Sequence, residues 1–180
     1  NDRDVSSTYP ELAELVGALC GHRVVLDGEL VAFDAAGRPD FGQLQQRMHV
    51  TNQAQVRTLV GEVPVHYLAF DLLHLDGRDL LDVPYEGRRD LLAALGVETP
   101  HAVVPPVFLG DGRAALAASQ AQQLEGVVAK RRTSSYQPGR RSPSWLKVKN
   151  FRTPEWVIGG WRPGTGGGTG AIGPPPGGGR

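Results

Sequence analysis

Strand-like and helix-like segments alternate irregularly along this chain, and that order restricts its fold more than any other feature of the sequence. Val24 to Phe33 and Val65 to Leu73 are apolar runs rich in β-branched residues, and they predict two long strands. Asp76-Gly77 is a tight turn of the kind that joins antiparallel neighbours. Further strands are predicted at 125–130, 145–149 and 156–161, and helices near 9–20, 40–48, 53–60, 84–95 and 114–124. This order predicts an α+β fold of antiparallel sheets with flanking helices.

Two of the predicted helices begin with a capping signal. Thr8-Tyr9-Pro10-Glu11 matches a capping box, in which the first and fourth side chains bond the exposed backbone N–H groups of the first turn. Asp40, followed three residues later by Gln43, predicts a second cap.

Size and composition exclude several classes of protein. The 180 residues suffice for one globular domain with an apolar core, and no apolar run approaches the ~18 residues of a membrane-spanning helix. The single cysteine, Cys20, excludes an intrachain disulfide framework and a cysteine-histidine zinc cluster, and it fits a reducing cytoplasm. Because the chain begins with Asn1 rather than methionine, we expect it to be a piece of a longer product.

Charge is segregated along the chain, although the net charge is zero. Residues 1–129 contain nine arginines and eighteen acidic residues, whereas residues 130–180 contain ten basic residues and one acidic residue. All three lysines, Lys130, Lys147 and Lys149, lie in the basic part. A basic segment is either a solvated loop or a surface that meets phosphates. We favour the second interpretation, because lysine is absent from the rest of this arginine-rich chain.

The first predicted strand interrupts its apolar run with Asp27-Gly28-Glu29. Glycine weakens a strand unless another group approaches the backbone closely. Acidic side chains there cost desolvation unless they bind a cation or a hydroxyl group. The motif is therefore either a β-bulge or hairpin turn with Glu29 exposed, or part of a binding site.

The second predicted strand contains the run Tyr67 to Leu73. Strict alternation would place Ala69 and Asp71 on one face, and Phe70 and Leu72 on the other. Phe70 is either a core aromatic or a ring that stacks on a flat base.

Two later strands have charged residues at informative positions. Glu125 and Lys130 flank an apolar strand, so they are either ordinary charged ends or ligands for Mg²⁺ and phosphate. Lys147 and Lys149 are two residues apart and share one face of a strand. They either protect a solvent-facing edge from aggregation or bind an anion between them.

The order and spacing of these motifs are more specific than any one of them. Val25–Glu29, Phe70–Gly77, Glu125–Lys130 and Pro138–Lys149 resemble the nucleotidyltransferase motifs of ATP-dependent DNA ligases. In detail they are similar to the ligase module of bacterial nonhomologous end joining. The resemblance covers roughly residues 1–163.

The resemblance implies an ATP-grasp-like adenylation domain, in which an ATP cleft lies between antiparallel sheets. Residues 1–152 would form an incomplete adenylation domain, and residues 153–163 would begin an OB-fold. Residues 164–180 are mostly glycine and proline, a composition that cannot build a core, and we expect a disordered tail.

The resemblance also implies residues for the base, the ribose and the metal. Phe70 would stack on adenine. Glu29 would contact the ribose and help to hold Mg²⁺, and Glu125 would position Mg²⁺ directly or through water. The implied cofactors are thus ATP, as the AMP donor, and Mg²⁺.

Four basic residues would contact phosphate by the same resemblance. Lys147 and Lys149 would hold the α-phosphate of ATP and offset charge in the transition state, which makes them the expected catalytic residues. Lys130 and Arg141 match the family pattern as phosphate-side contacts.

The sequence departs from the family at the nucleophile. The family's first motif is Lys-x-Asp-Gly, whose lysine forms the covalent lysyl-AMP, and no such tetrapeptide occurs in these 180 residues. We therefore expect the chain to be inactive by itself.

Three hypotheses of function follow. The first is a fragment of a DNA ligase that joins nicks or ends through enzyme-AMP and DNA-adenylate intermediates in repair and recombination. The second is a catalytically inactive nucleotide- or DNA-binding module, or half of a split ligase. The third is an RNA ligase or a capping-type nucleotidyltransferase, which the Phe70–Gly77 and Arg140–Trp145 runs disfavour.

The resemblance sets expectations for partners as well. The expected substrate is nicked or broken DNA, with a DNA-end-binding protein as a further partner. The expected protein is a monomer of the bacterial cytoplasm, associated with the nucleoid and not with a membrane.

Overall fold

The structure, a computed structural model, describes residues 3–150. The predicted strand at 156–161, the expected OB-fold segment and the expected tail lie outside the described residues. A short 3₁₀ helix at Pro10–Ala13 precedes five α-helices, which are α1 Glu14–Ala18, α2 Phe41–Arg47, α3 Gln53–Glu62, α4 Tyr85–Ala94 and α5 Gly112–Ala121. The strands are β1 Val24–Ala32, β2 Val65–Leu75, β3 Arg78–Asp79, β4 Glu98–Thr99, β5 Ala102–Val103, β6 Gly126–Lys130 and β7 Trp145–Lys149.

The strands form two sheets. The larger sheet has the order β1-β2-β5-β4, and β3 pairs with β2 beyond the turn at Asp76-Gly77. The smaller sheet is the antiparallel pair β6-β7. The pairings are antiparallel as expected, except that β2 and β5 pair in parallel over two residues. β5 ends just before Pro105-Pro106, and proline removes the ladder donor that a longer strand needs.

The pairing of β1 with β2 contains two register shifts. Asp27 faces Asp71 while Gly28 faces Ala69, so Phe70 is an extra residue in β2. A second shift lies near Val25 and Leu26. Because an extra residue resets which side chains share a face, Ala69 and Leu72 lie in the same core cluster, and the strict alternation predicted from the sequence does not hold.

The main core lies between the larger sheet and α4. Ala69, Leu72, Leu80 and Leu92 are fully buried there. The N-terminal end of α4 is tied to the segment that follows β6, because Tyr85 N–H donates to Ser134 O at 2.8 Å and Glu86 N–H donates to Arg132 O at 3.0 Å. These bonds satisfy helix N–H groups that would otherwise lack a partner, and they bring the smaller sheet beside α4.

One predicted helix cap forms and the other does not. The Asp40 side chain accepts a hydrogen bond from Gln43 N–H at 3.0 Å, as predicted for the start of α2. The capping box at Thr8 is wrong, since the Thr8 hydroxyl donates to Val50 O at 3.4 Å instead. Glu11 accepts two hydrogen bonds from Arg47, at 2.7 and 3.1 Å, and the pair is buried.

None of the helices between residues 3 and 150 has the length and apolar character required to cross a lipid bilayer.

Candidate nucleotide site

The lysines of β7 share one face of the smaller sheet, as predicted. Lys147 Nζ lies 2.9 Å from one oxygen of the Glu125 carboxylate, and Lys149 Nζ lies 2.9 Å from the other. The anion between the two ammonium groups is therefore a side chain of the protein itself. Hydrogen bonds from Lys147 and then Lys149 hold the pKa of Glu125 below its usual range. All three side chains are more than half exposed, so an anionic ligand can reach the lysines.

Lys130 lies on the same face of the smaller sheet but is almost buried. It pairs across the strands with Trp145, and its Nζ is 3.9 Å from the centroid of the indole ring. Nζ is also 4.9 Å from the Tyr85 ring centroid and 3.8 Å from Asp71 Oδ2. Burial lowers the pKa of Lys130, and the negative charges of Asp71 and Asp27 oppose that shift. Lys130 is thus a cation enclosed by aromatic rings and facing carboxylates of the larger sheet.

The glycine of the Asp-Gly-Glu motif is required by close packing. A Cβ atom on Gly28 would lie 2.6 Å from Tyr67 Cζ and even closer to the Leu68 carbonyl oxygen. The sequence argument for a close approach to this backbone is therefore confirmed, and the approaching groups are the Leu68 carbonyl and the ring of Tyr67. β1 runs through this motif without a hairpin turn, and the register shift at Asp27-Gly28 comes from the extra residue Phe70 in β2.

The two acidic residues of that motif have different environments. Glu29 is exposed and makes no side-chain hydrogen bond or ion pair with another described residue. Asp27 is half-buried opposite Asp71, and its charge acts on two tyrosines. Burial, and then the charge of Asp27, raises the pKa of both Tyr67 and Tyr136 to about 12.

Phe70 is the extra residue at the register shift in β2 and is half-buried. It is not part of the core cluster around Ala69 and Leu72. Its carbonyl oxygen accepts a hydrogen bond from Arg89 Nη1 at 3.3 Å, as does that of Ala69 at 3.4 Å. The bulge therefore directs backbone acceptors toward α4 and leaves the ring outside the core.

Arg141 lines a cavity of about 290 Å³ beside the smaller sheet. Other lining residues are Arg140, Ser142, Tyr136 and Trp145, and the last two rings meet edge to face at a centroid distance of 5.2 Å. The cavity adjoins Trp145, whose ring also contacts Lys130. Positive charge and aromatic surface together suit a phosphorylated aromatic ligand.

The structure brings some of the predicted site residues together and leaves others apart. Glu125, Lys147 and Lys149 form one cluster, and Lys130 is on the same face. Glu29 has no described contact with Glu125, and no group of three or more histidine, cysteine or acidic side chains suited to a metal occurs between residues 3 and 150.

The sequence analysis missed the buried ion pair of Asp71 and Arg88. Arg88 Nε lies 2.8 Å from Asp71 Oδ1, Arg88 Nη2 lies 2.9 Å from Oδ2, and both side chains are fully buried. A signal was available, because Arg88 is four residues before Leu92 and therefore lies on the apolar face of α4.

Three comparisons with known proteins give a consistent result. The family model for the ATP dependent DNA ligase domain matches residues 1–149. The multifunctional non-homologous end joining DNA repair protein LigD of Mycobacterium tuberculosis is 47% identical over 171 residues, which are 95% of this chain and 21% of that protein. A probable DNA ligase of Streptomyces coelicolor is 40% identical over 159 residues, which are 86% of this chain and 31% of that protein.

Solved structures agree with the sequence matches. A mycobacterial DNA ligase D complexed with ATP and MES matches with a TM-score of 0.70 and 48% identity, over 89% of this chain and 49% of that one. The ligase domain from M. tuberculosis LigD matches with a TM-score of 0.67 and 47% identity, over 82% and 45%. The chain spans about a fifth of the length of the mycobacterial relatives. The predicted α+β class and the resemblance to ATP-dependent ligases are both confirmed.

Proposed function

Because the chain belongs to the family of ATP-dependent DNA ligase domains, we propose that it is the nucleotide-binding part of an enzyme that joins DNA nicks or ends in bacterial nonhomologous end joining. The proposed reaction has three steps. A lysine attacks the α-phosphate of ATP, the AMP passes to the 5′-phosphate of DNA, and the 3′-hydroxyl expels AMP. The single observation that best supports this proposal is the common face of β6 and β7 on which Lys130, Lys147 and Lys149 lie.

The pairing of Glu125 with two lysines suggests how the site binds a nucleotide. Two ammonium groups two residues apart repel one another unless an anion lies between them. In our proposal the α-phosphate of ATP takes the place of the Glu125 carboxylate between Lys147 and Lys149, where the lysines stabilise developing charge. Lys130, whose ammonium lies over the Trp145 ring, and Arg141, which lines the cavity beside that ring, are the further proposed phosphate contacts.

Mg²⁺ fits this arrangement through few protein ligands. Magnesium sites for nucleotides usually take one or two carboxylates and complete their coordination with phosphate and water. Glu125 would be free for this role once its lysines hold phosphate, and the exposed Glu29 is the second proposed ligand. When bound, Mg²⁺ would supply charge neutralisation and polarise the phosphoryl oxygens.

Phe70 is the proposed stacking partner for adenine. Its half-buried ring lies outside the apolar core, which supports a ligand role over a packing role. Stacking of a base on an aromatic side chain contributes roughly 1–3 kcal/mol and does not require a particular base.

We further propose that these 180 residues bind ATP without forming lysyl-AMP, since they contain no Lys-x-Asp-Gly. That same observation favours a second candidate function, an inactive binding module or half of a split ligase. The proposed cellular setting is the bacterial cytoplasm at the nucleoid, where a monomer would act on DNA with a DNA-end-binding protein.

Calorimetric titration with ATP tests the nucleotide site. Lys147→Met should weaken ATP binding by about tenfold, the equivalent of one charge-assisted contact, while Arg113→Met, an exposed arginine on α5, should not change it. Equal affinity for ATP in the parent chain and the Lys147 variant would refute the site.

Labelled ATP then separates the two candidate functions. The chain extended by the coding sequence upstream of Asn1 should become covalently adenylylated, and Lys147→Ala should abolish that transfer. An extended chain that binds ATP but never forms the adduct would support the inactive binding module.

A further inference from the structure

Arg88 joins three parts of the molecule through one guanidinium. Its Nε and Nη2 bond both oxygens of Asp71 on β2, at 2.8 and 2.9 Å. Its Nη1 donates to Ser134 O, in the segment between β6 and β7, at 3.3 Å, and to the carbonyl of Val83 just before α4. A fully buried guanidinium and carboxylate are costly to desolvate, so a forked, two-bond geometry of this kind is needed to hold them.

Asp71 is in turn the carboxylate that faces Lys130. Lys130 Nζ lies 3.8 Å from Asp71 Oδ2, and no other acidic side chain among residues 3–150 forms an ion pair with it. Asp27 lies directly opposite Asp71 on β1, and two carboxylates at facing positions repel each other. Arg88 offsets this repulsion and keeps Asp71 pointing at Lys130.

Arg88 also supports the rings around Lys130. Its guanidinium lies 5.8 Å from the Tyr85 ring centroid and 5.7 Å from that of Tyr136. Tyr85 contacts the Lys130 ammonium. Tyr136 packs against Trp145, whose ring lies over the same ammonium. The same side chain therefore sets the carboxylate and the aromatic walls that enclose the lysine.

We propose that Arg88 is a positioning residue of the nucleotide site: acting through Asp71, it fixes the ammonium of Lys130 on the phosphate-binding face of β6 and β7. This inference rests on the proposed function, since it assigns Lys130 a phosphate to meet. A purely structural Arg88 would hold α4 on the sheet, and its loss would lower stability without moving Lys130 in a folded protein.

The chain contains only three lysines, which makes the position of Lys130 measurable. With ¹³C-labelled lysine, the NMR spectrum of the 180-residue chain has three sets of side-chain signals. The εCH₂ signal of Lys130 should be shifted upfield by the ring current of Trp145, and Lys130→Met identifies it by its disappearance. In Arg88→Gln this signal should move to the position of an exposed lysine.

Arg132→Gln is the matched control. Arg132 pairs with Glu86 at 2.7 Å across the same junction of α4 and the segment after β6, but both side chains are exposed. This control should leave the Lys130 signal in place. A folded Arg88→Gln protein with an unmoved Lys130 signal would overturn the proposal.

Binding measurements add a readout specific to phosphate. Arg88→Gln should weaken the binding of ATP about tenfold and the binding of adenosine less than twofold. In a Lys130→Met background it should cause no further loss of ATP affinity. Additive losses, or equal losses for ATP and adenosine, would refute positioning through Lys130. If Arg88→Gln does not fold, Asp71→Asn removes the charge facing Lys130 and gives the same two outcomes.

Failure of the proposed function would look different. A parent chain that does not bind ATP removes the nucleotide site, whereas the lysine spectrum still decides whether Arg88 positions Lys130.

Discussion

Gly28 is a residue at which a single added methyl group should lower stability. An added Cβ would meet the Leu68 carbonyl and the Tyr67 ring, and the carbonyl belongs to the sheet ladder and cannot move freely. Gly28→Ala should therefore lower the free energy of unfolding by about 1–3 kcal/mol, the usual cost of overpacking. Chemical denaturation of both proteins measures the difference.

Gly61 supplies the control for this prediction. It is an exposed residue of α3 with nothing within 4 Å of its added Cβ. Gly61→Ala should raise stability by about 0.5–1 kcal/mol, because alanine loses less backbone freedom in a helix. Equal effects of the two substitutions would contradict the packing argument.

Arg47 and Glu11 form another buried ion pair within residues 3–150. Arg47 Nη1 also donates to Val63 O at 2.7 Å, and its Nη2 donates to Thr8 O at 2.9 Å. Arg47→Met would leave the Glu11 carboxylate buried without its partner, so we expect a loss of about 3–5 kcal/mol in unfolding free energy.

The exposed pair of Arg38 and Asp34 calibrates that loss. Arg38→Met should change the free energy of unfolding far less than Arg47→Met does, since solvent screens exposed pairs. If Arg47→Met is as mild as Arg38→Met, the Arg47–Glu11 pair does not stabilise the fold as described.

At the scale of elements, sequence patterns predicted the strands better than the pairing between them. The bounds of β7 agree with the prediction, and β1 and β2 agree within two residues. Alternation and propensity are local signals, so they locate strands well. The extra Phe70 in β2 depends on how Gly28 packs against Tyr67, which is a contact between strands that local signals do not contain.

The residues of the candidate site likewise separate into those that local sequence signals predict and those that depend on contacts between elements. Lys147 and Lys149 were found because two residues of one strand share a face by geometry. The resemblance implies a metal role for Glu125; its carboxylate contacts these two lysines, and nothing in the local sequence predicts that pairing. Asp71 and Arg88 come from different elements and meet only when α4 packs on the sheet.

The contact between His66 on β2 and His101, just before β5, predicts a dependence of stability on pH. The ring centroid of His66 on β2 lies 5.3 Å from that of His101, whose Nδ1 contacts Glu14 of α1. The Nδ1 of His66 is buried without a hydrogen-bond partner among the described residues. Burial, and then the charge of His101, lowers the pKa of His66, against the opposing effect of Glu11 and Glu14. The folded state thus prefers neutral His66.

Stability should therefore be greatest above the unfolded pKa of histidine, about 6.5, and should fall as the pH drops through the lower folded value. His66→Phe keeps a ring beside Phe33 and removes this loss. Denaturation midpoints between pH 7 and pH 5 measure this loss of stability. Equal pH dependence in the two proteins would exclude His66 as the cause, while the lowered pKa of Glu11 acts only at more acidic pH.

At the scale of the whole molecule, charge segregation predicts a polarised surface for DNA. Eight basic residues and no acidic one lie between Lys130 and Arg152, whereas the preceding 129 residues have a net charge of −9. Arg140 and Arg141 are exposed beside the cavity, and neither forms a side-chain hydrogen bond or ion pair with a described residue. Arg140 and Arg141, whose charges no described acidic side chain neutralises, should therefore meet the phosphate backbone.

The salt dependence of DNA binding measures how many phosphates this surface neutralises. The logarithm of the binding constant should fall linearly with the logarithm of salt concentration, with a slope of about −0.9 for each phosphate neutralised. Replacing both Arg140 and Arg141 with glutamine should make the slope shallower by about 2. Arg113→Gln, an exposed arginine in the acidic part, should leave the slope unchanged. A slope that responds equally to both substitutions would mean that DNA contacts the molecule without regard to its charge polarity, and the basic segment would then have no special part in binding.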